Sequence, residues 1–319
     1  MPHDVLLVTG ATGFAGGHLL DRLADRAPLV AWHRPGGTPP DPARHIDWMP
    51  VNLLDAADVA RAIEEATPTH IYHLGGAPQV ASSFTSVLPH LKTNVMGTHH
   101  VLDAVRRSGR ACRVLVVSSS QVYQVSDDPM DEDAPLVPST PYGLSKLAQD
   151  QLAERAWRED GLDVVIARPF NHAGPRQAAE FVVSSFARQI ARIEAGLAPP
   201  QLKVGNLDAR RDMTDVRDVV EAYDVLMRLA PAGRPFNICS GRAWKIRDLL
   251  EELLHVARTP IDVVVDEARL RPSDVPVVQG DATRMRGELG WAPRIRVEQM
   301  LSDTLEWWRA ETRAALGRR

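Results

Sequence analysis

The sequence has little of what marks disulfide-stabilised or membrane-spanning proteins. Its 319 residues include two cysteines, Cys112 and Cys239, too few for a disulfide framework. Both lie beside apolar residues, where a buried free thiol is the default. No run of about 18 consecutive apolar residues is present, and the N-terminus leads directly into an apolar segment without a cleavable signal. We therefore expect no membrane partner and a cytoplasmic location.

Charge and histidine spacing argue against two further classes. Lysine plus arginine total 37 against 41 for aspartate plus glutamate, a formal net charge of −4, which is not the basic excess of a nucleic-acid-binding protein. The 11 histidines show neither ligand spacing to cysteines nor a His-Glu-x-x-His array, so we expect no metal site. The predicted partner is a small molecule and not a nucleic acid.

Apolar runs alternate with helical segments along the first half of the chain. Short strands are predicted at about residues 4–9, 28–33, 46–51, 70–74, 112–118 and 162–168. This alternation predicts an α/β fold, a Rossmann-like doubly wound parallel sheet covered by helices on both faces. After Pro169 the order is less regular and indicates a smaller C-terminal substrate-binding lobe. We expect a dinucleotide-binding domain over residues 1–170, to which the chain returns around 212–240, and a lobe over residues 171–319.

A glycine-rich turn, TGATGFAG at residues 9–16, follows the first predicted strand and precedes an apolar helical segment. Glycines allow a tight turn and close backbone approach, while the helix N-terminus offers free N–H groups to a pyrophosphate. In this strand-turn-helix context the motif predicts dinucleotide binding. The residues that we expect to contact the dinucleotide here are Gly10, Thr12, Gly13, Phe14, Ala15 and Gly16.

Tyr142 and Lys146 are four residues apart, a spacing that puts both side chains on one face of a helix. A free phenol ionises near pH ~10, and a neighbouring positive charge favours the phenolate. Lys146 is therefore expected to lower the Tyr142 pKa toward the range of an acid/base catalyst. For the motif taken alone, the alternative is a chance pair on a surface helix.

Ser119 lies in a run of hydroxyls at the end of the strand predicted at 112–118. Ligands of open parallel sheets bind at the carboxyl ends of the strands. Serines there commonly only cap the next segment. With the glycine turn before it and Tyr142 and Lys146 after it, we interpret Ser119 as a group that hydrogen-bonds a substrate carbonyl or alkoxide oxygen.

Together, Gly10-x-x-Gly13-x-x-Gly16, Ser119 and Tyr142-x-x-x-Lys146 resemble the extended short-chain dehydrogenase/reductase family. The segments HLGGA at 73–77 and TNVMGT at 93–98 support the resemblance, which implies that Asn94 helps to hold the central helix and strand near the active site. The same resemblance implies that Lys146 binds the nicotinamide ribose. The further cofactor contacts that it implies are Leu74, Gly75, Asn94 and Tyr142.

The C-terminal half contains six further motifs, which are NHAGP at 171–175, VGNL at 204–207, RD at 211–212, DVRDV at 215–219, NICSG at 237–241 and RPSDVP at 271–276. These motifs resemble the GDP-mannose branch of that family, and within the branch the GDP-4-keto-6-deoxy-mannose reductases.

Cofactor choice can be argued from the end of the second predicted strand. An NAD-specific enzyme usually places an acidic side chain there, on the ribose 2′-OH. This chain has His33 and Arg34 instead, and the fork of an arginine suits a 2′-phosphate, so we predict NADP(H). After the third strand the family commonly has an Asp near the adenine. Here Asn52 and Leu53 take that place, while Asp55 is interpreted as a helix cap.

Nucleotide-sugar binding requires cations for the diphosphate and acceptors for the ribose and base. Arg211 and Arg271 are the diphosphate candidates, and by resemblance Asp274 accepts from ribose hydroxyls. The alternatives are exposed ion pairs of little energetic gain, between Arg211 and Asp212 or Asp215 and between Arg271 and Asp274. The full set of candidate substrate contacts is Ser119, Gln121, Asn171, Lys203, Arg211, Arg271 and Asp274.

Gln121 bears on the reaction type. Dehydration needs a base to remove the sugar C5 proton, and by resemblance the dehydratases carry a Glu two residues before the tyrosine that follows the strand-end hydroxyl. Here that tyrosine is Tyr123 and the position is Gln121, whose carboxamide cannot act as the base. The resemblance thus implies NADPH-dependent reduction of the C4 ketone of a nucleotide-linked 4-keto-6-deoxy sugar, with a GDP-6-deoxy-hexose such as GDP-rhamnose as product.

Three other functions are alternatives on the sequence alone. They are a nucleotide-sugar 4,6-dehydratase of the GDP-mannose type, a 4-epimerase, and a non-catalytic NADP(H)-binding sensor. Family members usually pair through helices around residues 97–109 and 141–158, so the resemblance also implies a homodimer or a tetramer.

Overall fold

The computed structural model describes residues 4–39, 45–77, 87–270 and 275–317. Its strands are β1 Leu6–Thr9, β2 Leu29–His33, β3 Ile46–Pro50, β4 His70–His73, β5 Arg113–Val117, β6 Asp163–Pro169, β7 Asn171–Ala173, β8 Gln201–Val204, β9 Arg210–Asp215, β10 Pro235–Ile238, β11 Ala243–Lys245, β12 Asp262–Val265 and β13 Val277–Val278.

The α-helices of the described residues are α1 Phe14–Leu23, α2 Ala56–Ala66, α3 Val87–Leu91, α4 Gly97–Ser108, α5 Pro141–Arg158, α6 Val182–Glu194, α7 Val216–Leu229, α8 Ile246–His255, α9 Thr283–Leu289 and α10 Val297–Gly317. A π-helical turn, Lys92–Met96, joins α3 to α4, and short 3₁₀ turns lie at Ser120–Val122 and Glu267–Arg269.

Seven parallel strands form the main sheet, in the order β3-β2-β1-β4-β5-β6-β10. The chain starts in the middle of the sheet, winds to one edge through β2 and β3, and then crosses back to β4. Consecutive runs of aliphatic residues form the buried strands because both faces of the sheet are covered by helices. The predicted doubly wound parallel sheet is confirmed, and each of the six predicted strands lies within a few residues of its observed bounds.

The two faces of the sheet carry separate apolar cores. On one face, Leu19 of α1 and Leu226 of α7 pack toward Leu115 and Phe236 of the sheet. On the other, Ile63 of α2 and Val101 of α4 belong to the cluster that contains Leu7, Val114 and Ala153 of α5. Helix α5, which carries Tyr142 and Lys146, thus packs against this face of the sheet through Ala153 and Ala156.

The second lobe has its own core, built by α6, α8 and α10 around Leu202 and Val204 of β8. Strand β9 pairs with β7, β11 and β13. From Asp215 the chain enters α7 and then β10, which is the seventh strand of the main sheet. The residue limits of the two predicted units remain a prediction. Within the described ranges, every helix is too short or too polar to cross a membrane.

Candidate active site

The glycine turn lies between β1 and α1. Gly10 has a φ of 66°, and a Cβ there would come 2.8 Å from the Gly75 backbone nitrogen. A Cβ on Gly16 would come 2.2 Å from the Gly10 carbonyl oxygen, so α1 can only pack this close to the turn without a side chain. Thr12 and Gly13 are exposed, and Phe14 and Ala15 half-buried, at the start of α1. This geometry suits an anion at the α1 N-terminus.

The residues predicted to bind the adenosine half of the cofactor follow the carboxyl ends of β2 and β3. Arg34 is exposed and forms no ion pair with any described residue, which leaves its guanidinium available to a phosphate. Asn52 is exposed too, and its Oδ1 accepts a hydrogen bond of 3.1 Å from the Leu54 N–H. Asp55 caps α2 by accepting from the Ala57 and Asp58 N–H groups, as the sequence predicted. Asp58, which the sequence reasoning missed, accepts from the Asn52 N–H at 2.8 Å.

Asn94 lies fully buried in the π-helical turn, a distortion that often occurs at functional sites. Its Oδ1 accepts from the Ala77 N–H at 2.8 Å, and its Nδ2 donates to the Ser145 hydroxyl at 2.8 Å. Asn94 therefore links the segment after β4 to α5. The contact on α5 is Ser145, the residue before Lys146. The half-buried Leu74 and the buried Gly75 lie in that segment, and a Cβ on Gly75 would come 2.6 Å from Leu53 Cδ1.

Tyr142 and Ser119 meet at the carboxyl end of β5. Thr140 caps α5 by accepting from the Gly143 N–H at 2.9 Å, with Pro141 in the first turn. A Cβ on Gly143 would come 2.4 Å from the Gln121 carbonyl oxygen, so glycine lets α5 approach the turn that follows Ser119. The Tyr142 phenol lies beside the Ser119 side chain, whose hydrogen bonding opposes the rise of the Tyr142 pKa caused by burial. Ser119 Oγ also accepts from the Gln121 N–H at 3.2 Å, so Ser119 both caps its turn and contacts the phenol.

Lys146 lies one turn along α5, with its Nζ 6.0 Å from the centre of the Tyr142 ring. The amino group is buried and donates to the Val117 carbonyl oxygen at 2.9 Å and to Gln149 Oε1 at 2.7 Å. Burial lowers the pKa of Lys146 to about 7, with the Asp150 carboxylate acting in the opposite direction. The ammonium and the neutral amine are therefore both accessible near neutral pH.

The predicted effect of Lys146 on Tyr142 is not what the structure shows. Burial raises the pKa of Tyr142 to about 12, and the group that works against this rise is Ser119 through its hydrogen bond. The reason is positional, since the Lys146 amino group is bonded to Val117 and Gln149. In this arrangement the phenol keeps its proton at neutral pH.

Two of the residues predicted to bind substrate, Gln121 and Arg211, lie at or beside one small cavity. Two others, Asn171 and Lys203, lie on strands β7 and β8. Gln121 lines a small cavity of about 20 Å³ together with Tyr123, Val277 and Val278. Arg211, half-buried on β9, is paired in the sheet with Val278, so it lies on the strand beside that cavity. Its Nη1 donates to the Val275 carbonyl oxygen at 2.8 Å. Asn171 on β7 and Lys203 on β8 are exposed, with Asn171 opposite Met213 of β9.

Two residues predicted to bind substrate, Arg271 and Asp274, lie outside the described residues.

The carboxylates of Asp212 and Asp215, named above as alternative ion-pair partners of Arg211, both bond to other groups. Asp212 accepts from the Ser240 N–H and hydroxyl and from the Gly241 N–H, at 2.6 to 2.9 Å. Asp215 pairs with Arg217 at 2.7 Å.

A buried ion pair between Arg168 and Asp150 joins β6 to α5, the helix that carries Tyr142 and Lys146. The sequence did not predict this pair. Arg168, at the end of β6, binds Asp150 of α5 through two hydrogen bonds of 2.8 and 3.2 Å. Ser118 also donates to Asp150, at 2.9 Å, and Arg168 donates to the Tyr123 hydroxyl at 3.0 Å. The only available signals were a charged residue inside an apolar strand and an acid one helical turn after Lys146.

The loop at residues 127–140 is rich in acidic residues, but it is partly buried. Glu132 is buried, and its Oε1 accepts from the Asn237 N–H at 2.8 Å. Its Oε2 lies 3.5 Å from Arg284. A buried acceptor for the N–H of a strand residue anchors the loop to β10.

Comparison with known proteins places this chain in a family. The family model for GDP-mannose 4,6 dehydratase matches residues 7–304. The GDP-6-deoxy-D-mannose reductase of Pseudomonas aeruginosa is 37% identical over 311 residues, which cover 97% of this chain and 98% of the relative. The human GDP-mannose 4,6 dehydratase is 29% identical over 341 residues, covering 95% and 90%.

A solved structure of RMD from Pseudomonas aeruginosa, complexed with NADPH, matches with a TM-score of 0.84 at 35% identity and covers 97% of this chain and 99% of that one. The UDP-glucose 4-epimerase of Thermotoga maritima with UDP-glucose matches with a TM-score of 0.85 at 26% identity, covering 96% and 99%. The resemblance read from the motifs is confirmed by these matches. This chain belongs to the GDP-mannose 4,6-dehydratase family, within the short-chain dehydrogenase/reductase fold.

Proposed function

We propose that the protein reduces the C4 ketone of a GDP-linked 4-keto-6-deoxy sugar with NADPH and releases a GDP-6-deoxy-hexose such as GDP-rhamnose. The observation that carries the proposal is the buried Tyr142 phenol beside the Ser119 side chain, with the neutral Gln121 bonded to Ser119 Oγ through its backbone N–H. The Pseudomonas aeruginosa relative named a GDP-6-deoxy-D-mannose reductase, 37% identical, supports the same reaction.

The residues present fit a bound NADPH. The close approach allowed by Gly10 and Gly16 and the N–H groups at the start of α1 suit the pyrophosphate. Arg34 would hold the 2′-phosphate, and Lys146 would hold the nicotinamide ribose. NADPH, when bound, supplies the hydride for the sugar C4 carbon.

The chain's own residues manage the proton. As the ketone carbon gains hydride, its oxygen becomes an alkoxide that needs one proton to give the alcohol. Tyr142, with its pKa raised to about 12 by burial, holds that proton at neutral pH and lies where Ser119 can hydrogen-bond the same oxygen. Burial of the phenol excludes bulk water as a competing partner, so the phenol is the proton source that we assign.

A 4,6-dehydratase is the second candidate, because the matching family model and the human relative carry that name. It would need a carboxylate at the sugar C5 proton. Gln121 is neutral, and Glu132 of the acidic loop is turned toward the Asn237 N–H and Arg284. Asp133 of the same loop binds Arg284 at 2.9 Å. These partners favour reduction over dehydration.

We further propose that Asn171, Lys203 and Arg211 bind the nucleotide sugar together with Arg271 and Asp274. A homodimer through α4 and α5 is part of the proposal, supported by the exposed Met96 and Leu144 near the starts of these helices. Sedimentation equilibrium would test the dimer.

The reaction is tested by incubating the protein with NADPH and GDP-4-keto-6-deoxy-mannose while following nicotinamide absorbance and product mass. A reductase gives a lasting fall in absorbance and a product heavier by two hydrogens. A parallel incubation with GDP-mannose and NADP⁺ should leave the sugar unchanged. Loss of water from GDP-mannose, with no net change in the cofactor, would replace this proposal by the dehydratase.

A further inference from the structure

Lys146 is connected to the glycine turn by a chain of buried polar side chains. Its Nζ donates to Gln149 Oε1 at 2.7 Å, and Gln149 Nε2 donates to Thr98 Oγ1 at 2.8 Å. His73 Nε2 lies 3.0 Å from the same Thr98 oxygen, and His73 Nδ1 lies 2.8 Å from Thr9 Oγ1. Thr9, the residue before Gly10, accepts from the Gly75 N–H at 2.9 Å.

Counting protons fixes the direction of each hydrogen bond. Thr98 has one hydroxyl proton and donates it to the Asn94 carbonyl oxygen at 2.7 Å, so Gln149 and His73 must both donate to Thr98. His73 therefore carries its proton on Nε2 and accepts at Nδ1 from Thr9. Because two donors converge on Thr98 and an amide lies between Thr98 and Lys146, protons cannot be passed along this chain.

Gln149, Thr98, His73 and Thr9 are all completely buried, which makes a lost partner costly. The Gln149 amide oxygen accepts from Lys146 and the amide nitrogen donates to Thr98. Any rotation of the amide therefore breaks at least one of these two hydrogen bonds. The carbonyl of Val117 is the other acceptor that the structure gives the Lys146 amino group. One N–H of an ammonium thus remains for a ligand.

We propose that Gln149 is a positioning residue that holds the Lys146 amino group and sets how readily it is protonated. The inference rests on the proposed function in giving Lys146 a role toward the cofactor. Gln149 acts by direction as well as contact, since Thr98 prevents its amide from turning over and presenting the nitrogen to Lys146.

The charged and titratable groups around Lys146 are Asp150 on the same helix, Tyr142 one turn before it, and His73 on β4. Burial and the neighbouring Lys146 charge lower the pKa of His73 to about 3, so His73 stays neutral in the relevant range. Asp150 is already paired with Arg168. Residue 149 is therefore the place where one substitution changes the charge that Lys146 meets directly.

Two substitutions should move the Lys146 titration in opposite directions. Gln149→Met keeps the length but removes the acceptor, which disfavours the ammonium and lowers the pKa. Gln149→Glu keeps an acceptor and adds a negative charge, which favours the ammonium and raises the pKa. Each change should alter the ammonium-to-amine ratio at fixed pH by roughly tenfold or more. A residue that only fills space would not give opposite signs.

The sequence allows this to be measured directly, because its four lysines are Lys92, Lys146, Lys203 and Lys245. Lysine labelled with ¹³C at the ε carbon gives one signal per residue, and Lys146→Met identifies the signal of interest. The chemical shift is followed against pH in the wild type and the variants. Gln299→Met and Gln299→Glu, on the exposed side of α10, are controls that repeat the chemistry of the substitutions without contact to Lys146.

A second pair of variants covers the case in which a residue 149 variant does not fold. Thr98→Val removes the hydroxyl that accepts from Gln149 and should lower the pH midpoint of the Lys146 titration. Thr98→Ser keeps the hydroxyl and should keep the wild-type midpoint. Unchanged midpoints in the folded variants, or shifts of the same sign in Gln149→Met and Gln149→Glu, would overturn the proposal. The titration needs no sugar substrate, so a failure of the proposed reaction is detected separately by the NADPH assay.

Discussion

Replacing Arg34 by alanine removes the guanidinium with which this site is expected to hold the 2′-phosphate that distinguishes NADPH from NADH. Arg34 follows β2 directly, is exposed, and makes no ion pair with a described residue. The protein therefore loses no internal ion pair of the described structure when the guanidinium is deleted. The effect on binding should come from the lost contact with the 2′-phosphate.

The size of the effect follows from the type of contact. A hydrogen bond to a charged group contributes about 1.5–3 kcal/mol, and each 1.4 kcal/mol is about tenfold in affinity. Arg34→Ala should thus weaken NADPH by roughly 10- to 150-fold while NADH changes little. Because Arg34 is exposed, the preference should also shrink as salt rises and screens the phosphate contact.

Titration calorimetry with NADPH and NADH at two salt concentrations measures all of these quantities. Arg286→Ala is the matched control, since Arg286 is an exposed arginine of α9 that also forms no ion pair with a described residue. It removes the same charge and should leave the preference unchanged. Equal wild-type affinities for the two cofactors, or a full preference retained in Arg34→Ala, would refute the role of Arg34.

Three further predictions follow from burial and pairing. Tyr142→Phe should lower kcat by ~10²–10⁴-fold with NADPH affinity nearly unchanged, so near-full turnover would contradict the proton-donor role. Arg168→Met leaves the buried Asp150 carboxylate unpaired and should destabilise folding by about 3–5 kcal/mol in urea unfolding, against about 0.5 kcal/mol or less for the exposed Arg158→Met. His73 has a folded pKa of about 3, below its unfolded value of 6.5, so protonation of the unfolded state lowers stability as pH falls below 6.5. His73→Asn should remove about 1.2 kcal/mol of that loss between pH 6 and 5, measured by urea unfolding at both pH values. An unchanged slope would disprove a neutral His73.

The sheet could be predicted because strands buried on both faces are continuous apolar runs, and β1 and β5 contain such runs. Turn chemistry was equally readable, since Gly10 needs a positive φ and Thr140-Pro141 is a helix start. These features depend on neighbours in the sequence. A reading of local pattern is therefore sufficient for them.

The protonation and hydrogen bonding of the candidate catalytic residues could not be predicted in the same way. The helical spacing correctly put Tyr142 and Lys146 on one helix, but the acceptors of Lys146 come from β5 and from the same helix at Gln149. The pKa of Tyr142 depends on how deeply α5 is buried, which the four-residue spacing does not contain. Likewise, the burial of Glu132 depends on Asn237, which is 105 positions away along the chain.

Helix α5 joins two buried polar networks that have different consequences. Through Gln149, Lys146 is tied to β4 and the glycine turn, while the next residue, Asp150, is tied through Arg168 to Tyr123 and the second half of the chain. A buried ion pair is a weak source of stability, because the desolvation of both charges offsets most of their attraction. Its directional hydrogen bonds instead fix one register of α5 against β6. We infer that the pair serves orientation, which predicts that an active-site defect accompanies Arg168→Met even in the fraction of molecules that remain folded.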